Sequence, residues 1–138
     1  MNYIIEAIRK VIATNKFVIH EHYADRAGLH YDIRIEYNGV LKSWATKKAP
    51  ELIEIPSKKI QLFQTPDHDF NEWIKFTGRI SSGEYGAGTV KIWDTGNVKI
   101  YKWENKSKIL DFNGKKIKGK YAIIQPKPKT FMMLKMVK

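Results

Sequence analysis

His30, Asp32, Arg34 and Glu36 stand at every second position of HYDIRIE, residues 30–36, with Tyr31, Ile33 and Ile35 between them. Successive side chains of a strand point to opposite faces, so the polar groups share one face and the apolar groups the other. An imidazole and a carboxylate on one face can bind a divalent cation, and a guanidinium one step along can hold an anionic group beside it. A strand with a solvated outer face carries the same alternation, with Asp32 and Arg34 merely balancing charge. The remaining histidines decide between the two.

The chain has four histidines. His20 and His22 alternate in FVIHEH, His30 opens HYDIRIE, and His68 stands in TPDHDF. Antiparallel pairing of FVIHEH with HYDIRIE, through the YADRAGL loop, sets His22 and His30 across from one another. His22, His30 and Asp32 then form a set of two nitrogens and one oxygen, with positions left for water and substrate, as catalysis by a metal requires. Such ligands accept Mn²⁺, Zn²⁺, Fe²⁺ or Co²⁺ without selecting among them. His20 and Glu21 flank the set as substrate contacts; His20 is equally readable as a support for the ligands or as an ordinary surface histidine.

The elements that must position these groups follow from periodicity. YIIEAIRKVIA places Ile4, Ile5, Ile8, Val11 and Ile12 at helical spacing, which predicts an amphipathic helix over 1–15. After it the period changes to two: FVIHEH, HYDIRIEY, VLKSWA, IQLFQ, TVKIWD, NVKIYKW, KYAIIQ and FMMLKMV are short, rich in β-branched and aromatic residues, and separated by turn formers. Asn38-Gly39 and Asn113-Gly114 suit type I′ hairpins, Thr95-Gly96 reads as a third tight connection, and Pro126 to Lys129 as an exposed one. About eight strands without an alternating βα pattern predict a compact antiparallel β-barrel over 17–138, following the helix within one domain of 1–138. GEYGAG, residues 83–88, fits neither a Walker loop nor a dinucleotide fingerprint, and reads as a structural turn into TVKIWD. The four tryptophans offer stacking surfaces for bases, although their place in alternating strands suits core packing for most of them.

Composition limits the classes. The chain of 138 residues has no cysteine, which removes disulfides and thiolate metal sites and suits a reducing, cytoplasmic setting. Its apolar runs are too short for a membrane span, so no membrane association is expected. Formal net charge is +11, with twelve lysines from Lys99 to Lys138 against Glu104 and Asp111 alone. An excess of that kind attracts polyanions, nucleic acid foremost. A noncatalytic, basic nucleic-acid-binding barrel is therefore the competing function.

LHYDIRIE followed by NGVLKSWA, then PDH, GEYGAGTVKIWDTG, FNGKKIKGKYAII and FMMLK, is a more specific combination than any one of its parts. From about Phe17 to the C-terminus it resembles the 3′-phosphoesterase domain found in bacterial ATP-dependent DNA ligase D and in stand-alone archaeal and bacterial proteins. The resemblance implies a β-barrel enzyme, dependent on Mn²⁺, that trims the 3′ end of a primer strand in DNA repair and end joining. Its diesterase activity would remove a terminal ribonucleoside, and its monoesterase activity would convert the 3′-phosphate to a 3′-OH. The resemblance further implies His22, His30 and Asp32 as metal ligands, Arg34 and His68 as contacts to the scissile phosphate, and Lys48 as a basic residue engaging substrate. The expected partners are DNA or RNA–DNA primer-template 3′ ends, with a ligase and a polymerase, and the protein itself is expected to be monomeric. This chain departs from the family pattern in its longer spacing between His22 and His30, in His20 where glutamine is common, and in Glu72 where a tyrosine is common.

Overall fold

The computed structural model describes residues 10–47 and 59–136. Strands β1 (Ala13–Ala24), β2 (Gly28–Tyr37), β3 (Val40–Thr46) and β4 (Lys59–Asp69) come first. A single-turn helix α1 (Phe70–Trp73), a short β5 (Gly78–Ile80) and the long β6 (Gly88–Glu104) follow, then β7 (Ser107–Asn113), β8 (Lys118–Lys127) and β9 (Thr130–Lys135). All pairings are antiparallel, and eight strands close in the order β1-β2-β3-β4-β9-β8-β7-β6, with β6 returning to β1. Closure leaves no long unpaired edge among the described residues. The ninth strand, β5, adds to the start of β6, where β7 does not reach.

Apolar residues at alternate positions set which face turns inward. Phe17 and Ile19 of β1, Tyr31, Ile33 and Ile35 of β2 and Trp44 of β3 join Leu110, Phe112, Tyr121 and Met133 from the far wall in one buried cluster inside the barrel. The intervening residues, Val18, His20 and His22 on β1 and Asp32 and Arg34 on β2, must therefore point outward. They are nevertheless buried. Their cover is the segment after β4, whose Phe70, Trp73 and Ile74 pack with Val18, Leu41 and Ile92 as a second cluster outside the barrel. Asp69 caps α1, its carboxylate accepting from the Glu72 N–H at 2.8 Å.

Several expectations change. Ala13, Thr14 and Asn15 lie in β1, and the Ile12 N–H already bonds the Ile100 carbonyl at 2.7 Å, so pairing with β6 overrides the local helical period at the end of the predicted helix. Residues 1–9 of that helix lie outside the described residues. Thr95-Gly96 does not turn: TVKIWD and NVKIYKW are one continuous strand, β6, long enough to pair with β1 along its length and with β5 and β7 at its two ends. The strand KILDFN, unforeseen, restores the count of eight. Asn38 (φ 53°) and Gly39 (φ 82°) do form the I′ pair between β2 and β3. Asn113-Gly114 instead opens a longer loop, closed by Gly114 N–H to the Ile117 carbonyl at 2.9 Å.

Asp94 explains that loop. Its buried carboxylate accepts from the backbone N–H groups of Thr95, Lys115, Lys116 and Ile117 at 2.8 to 3.0 Å. Burial alone would raise this carboxyl, but the four N–H groups overcome it and hold it below the usual carboxylate range. A Cβ at Gly114 would overlap that carboxylate and the Phe17 ring.

Candidate metal centre and active site

Register brings the predicted ligands together. In the β1–β2 ladder His22 pairs with His30 and His20 with Asp32, so the outward side chains of residues 20, 22, 30 and 32 occupy adjacent places. One ligand atom from each of His22, His30 and Asp32 lies within 4.8 Å of the others. His22 Nδ1 is 3.1 Å from His30 Nε2 and 3.3 Å from Asp32 Oδ2, and His30 Nε2 is 3.3 Å from the same oxygen.

The hydrogen bonds behind the two rings fix what faces the centre. His22 Nε2 donates to the Gly86 carbonyl at 2.7 Å, which leaves Nδ1 as the unprotonated nitrogen of the neutral ring. His30 hydrogen-bonds the Gly28 backbone as well as Asp32. When neutral, both imidazoles turn lone pairs toward a carboxylate oxygen. Three acceptors at such distances are satisfied only by a shared cation, either a proton or a metal ion, so the donor set fits a divalent ion. Its hydrogen bond to Asp32 raises His30 above the ordinary histidine value, against the opposing effect of burial. Burial would raise Asp32, yet His22, His30 and Arg34 hold it well below the usual carboxylate range.

Arg34 is buried beside this set, its Nη2 3.4 Å from Asp32 Oδ2. Its Nε donates to His20 Nδ1 at 3.0 Å and its Nη1 to Ser43 Oγ at 2.9 Å, while the Trp73 ring lies 5.4 Å from the guanidinium carbon. His68 stands on the far side, with Nδ1 2.8 Å from the Pro66 carbonyl and 3.1 Å from Arg34 Nη1. Nδ1 can donate to the carbonyl or accept from Arg34 but not both; the shorter carbonyl contact favours donation, which leaves Nε2 as the acceptor of the neutral ring. Burial, and then the Arg34 charge, push His68 below its ordinary value.

His22, His30, Asp32, Arg34 and His68 all line a cavity of about 1000 Å³, ample for a nucleotide. His20 does not join them. It is wholly buried rather than on the surface and does not line that cavity, with Nδ1 accepting from Arg34 and Nε2 bonded to the Phe76 carbonyl at 3.1 Å. Burial and the Arg34 charge push it down to about 4, which keeps it neutral and able to accept. Glu21, also expected at the substrate, lies on the opposite face of β1, bonded by the Tyr23 hydroxyl at 2.7 Å. Lys48 lies outside the described residues.

Sequence reasoning missed Ser43, Trp73 and the loop of residues 80–87 as parts of the site. Only the glycines of GEYGAG pointed to the loop. It is the structural turn expected, but it also forms a wall of the cavity: the Gly86 carbonyl anchors His22, and a Cβ at Gly86 (φ 75°) would come 3.3 Å from the His22 ring.

Residues 20–125 match the family described as the DNA ligase D 3′-phosphoesterase domain. A multifunctional non-homologous end joining protein LigD of Mycolicibacterium smegmatis is 38% identical over 140 residues, 94% of this chain and 18% of the relative. The multifunctional non-homologous end joining DNA repair protein LigD of Mycobacterium tuberculosis is 43% identical over 115 residues, 80% of this chain and 14% of the relative. A LigD protein of Pseudomonas aeruginosa is 43% identical over 81 residues, 59% of this chain and 9% of the relative. The chain thus spans less than a fifth of the length of these relatives.

Proposed function

The chain belongs to the DNA ligase D 3′-phosphoesterase domain family, and from that membership we propose a metal-dependent phosphoesterase that processes the 3′ ends of DNA primer strands. It removes a 3′-terminal ribonucleoside as a diesterase and a 3′-phosphate as a monoesterase, leaving a 3′-OH for a ligase or polymerase in end joining. The metal of this reading is Mn²⁺, with Co²⁺ or Zn²⁺ as substitutes that the ligand set also accepts. The protein acts as a cytoplasmic monomer on DNA or RNA–DNA primer-templates. The single observation that carries the reading is the convergence of His22, His30 and Asp32 within 4.8 Å, next to Arg34 and in one cavity with His68.

His22 Nδ1, His30 Nε2 and an Asp32 oxygen would hold the ion. When bound, a divalent ion supplies neutralisation of a nonbridging phosphoryl oxygen and acidifies water for attack. Arg34 clamps the phosphoryl group through its planar donors, pre-aimed by His20 and Ser43 so that no reorganisation is needed on binding. Burial and the Arg34 charge favour the neutral form of His68 in the free protein. The negative charge of an incoming phosphoryl group draws a proton onto Nε2, and the ring then donates to the leaving oxygen.

The test is a 5′-labelled primer-template ending in one ribonucleotide, incubated with Mn²⁺. Shortened products should appear, vanish with a chelator, and vanish for His30→Ala while DNA affinity stays within about threefold. Cleavage that survives chelation, or is untouched by His30→Ala, contradicts the reading. A noncatalytic basic barrel is favoured only by the charge of +11 and by lysines set over partly buried rings, such as Lys120 4.3 Å from Tyr101; it predicts binding without any metal-dependent product.

A further inference from the structure

Tyr85 is the most exposed large hydrophobic side chain among the described residues, at 73%. Its loop is not loose. Arg79 grips Asp25 of the β1–β2 turn with bonds of 3.0 and 2.6 Å, and the Asp25 N–H donates to the Ala87 carbonyl at 2.8 Å. The Glu84 N–H to Ser81 and Ala87 N–H to Glu84 bonds, both 3.1 Å, close one turn before Tyr85 and one around it, and the Gly86 carbonyl is fastened to His22. The aromatic ring of a firmly held loop thus stays in water, lining the cavity that also contains His22, His30, Asp32 and Arg34. Apolar surface that the fold has fixed but not covered marks a contact site.

The rest of the rim agrees in chemistry. Trp73 forms a second aromatic wall of the cavity, its ring 4.7 Å from that of His68. Arg26 is exposed, lines the same cavity, and has no ion pair among the described residues. Tyr85 and Arg34 line the same cavity, so a group resting on Tyr85 shares that cavity with whatever Arg34 holds. An exposed aromatic ring, an exposed guanidinium and a buried phosphate clamp lining one cavity suit a nucleotide at a strand end.

We propose that Tyr85 is the stacking platform for the base of the terminal nucleotide whose phosphate Arg34 holds, making the site one for nucleotide ends and not for small phosphate esters in general. This rests on the 3′-end reading above. Stacking is indifferent to base identity, because every base presents a π-face, which suits an enzyme that must accept any end.

Two readouts test it: anisotropy of a fluorescein-labelled primer-template without divalent ion, and turnover of the same strand with Mn²⁺. Tyr85→Ala should raise both Kd and KM about tenfold on ends that carry a base. It should leave kcat within about twofold and an end whose last residue is abasic unaffected. Tyr85→Phe and Tyr85→Trp should behave as the parent. With so exposed a side chain, all three variants should keep the parent melting temperature. The proposal is overturned if Tyr85→Ala binds like the parent, if the loss is equal on abasic ends, or if Tyr85→Phe falls as far as alanine, since the hydroxyl would then be the contact. Absence of turnover by the parent would sink the enzymatic reading instead, and the anisotropy series would still decide the platform.

Discussion

At the scale of residues, the site is two imidazoles and one carboxylate whose lone pairs face one another, with an arginine held rigidly alongside. Protons and metal compete for the same nitrogens. Because its hydrogen bond to Asp32 raises His30 above the ordinary histidine value in the free protein, its protonated form is favoured as pH falls. Mn²⁺ affinity measured by calorimetry should therefore weaken by up to about tenfold per pH unit below pH 6.5; an affinity flat from pH 8 to 5 would speak against the histidines as ligands. His20 acts through Arg34. Its replacement by phenylalanine leaves the Nε of a buried guanidinium without its acceptor, which should cost about 1 to 3 kcal/mol of stability and lower kcat with Mn²⁺ affinity nearly unchanged. Recovery of kcat in His20→Gln, which can still accept a hydrogen bond, would separate positioning from packing. Of these residues, the alternation in HYDIRIE and the His22–His30 pairing were legible, because strand period and register follow from the sequence itself. His20's place was not, since nothing local says that a polar outer face will be covered.

At the scale of elements, the cover and the barrel end are the parts that sequence concealed. Segment 70–87 crosses the β1–β2 face through a few apolar contacts, Trp73 and Ile74 among them, that show no periodicity. The merger of TVKIWD with NVKIYKW was hidden by Thr95-Gly96, a pair that usually turns. Here a Cβ at residue 96 would overlap the Asn113 backbone, so glycine serves close packing and not a turn. Asp94 fastens the β7–β8 loop at the same end, and Asp94→Ala should cost about 3 kcal/mol in denaturant unfolding, because four backbone donors lose one acceptor. Asp94 is depressed in the folded state, so its contribution is full above the unfolded carboxyl value and is lost as pH falls through the folded one. The parent should therefore approach the stability of Asp94→Ala in acid. A gap between the two that stayed constant from pH 7 down to pH 2 would contradict this role.

At the scale of the whole molecule, a closed barrel provides a stiff wall and the candidate chemistry sits on its outside, so the core stays largely apolar, with Lys108 buried over the Trp44 ring as an exception. The barrel was legible from strand number, spacing and turn residues. Its N-terminal boundary was not, because the β1–β6 pairing is long-range. The net charge of +11 predicts primer-template binding that weakens steeply between about 50 and 200 mM salt, with a linear dependence of log K on log salt concentration; a slope near zero would remove the electrostatic part of the account. The central claim is narrower, that His22, His30 and Asp32 together hold one divalent ion. Mn²⁺ titration followed by loss of the free-ion paramagnetic resonance signal measures it directly. The parent should take up one ion per chain, and His22→Ala, His30→Ala and Asp32→Ala should each lose that uptake while remaining folded. No uptake by the parent, or undiminished uptake by the three variants, would contradict it.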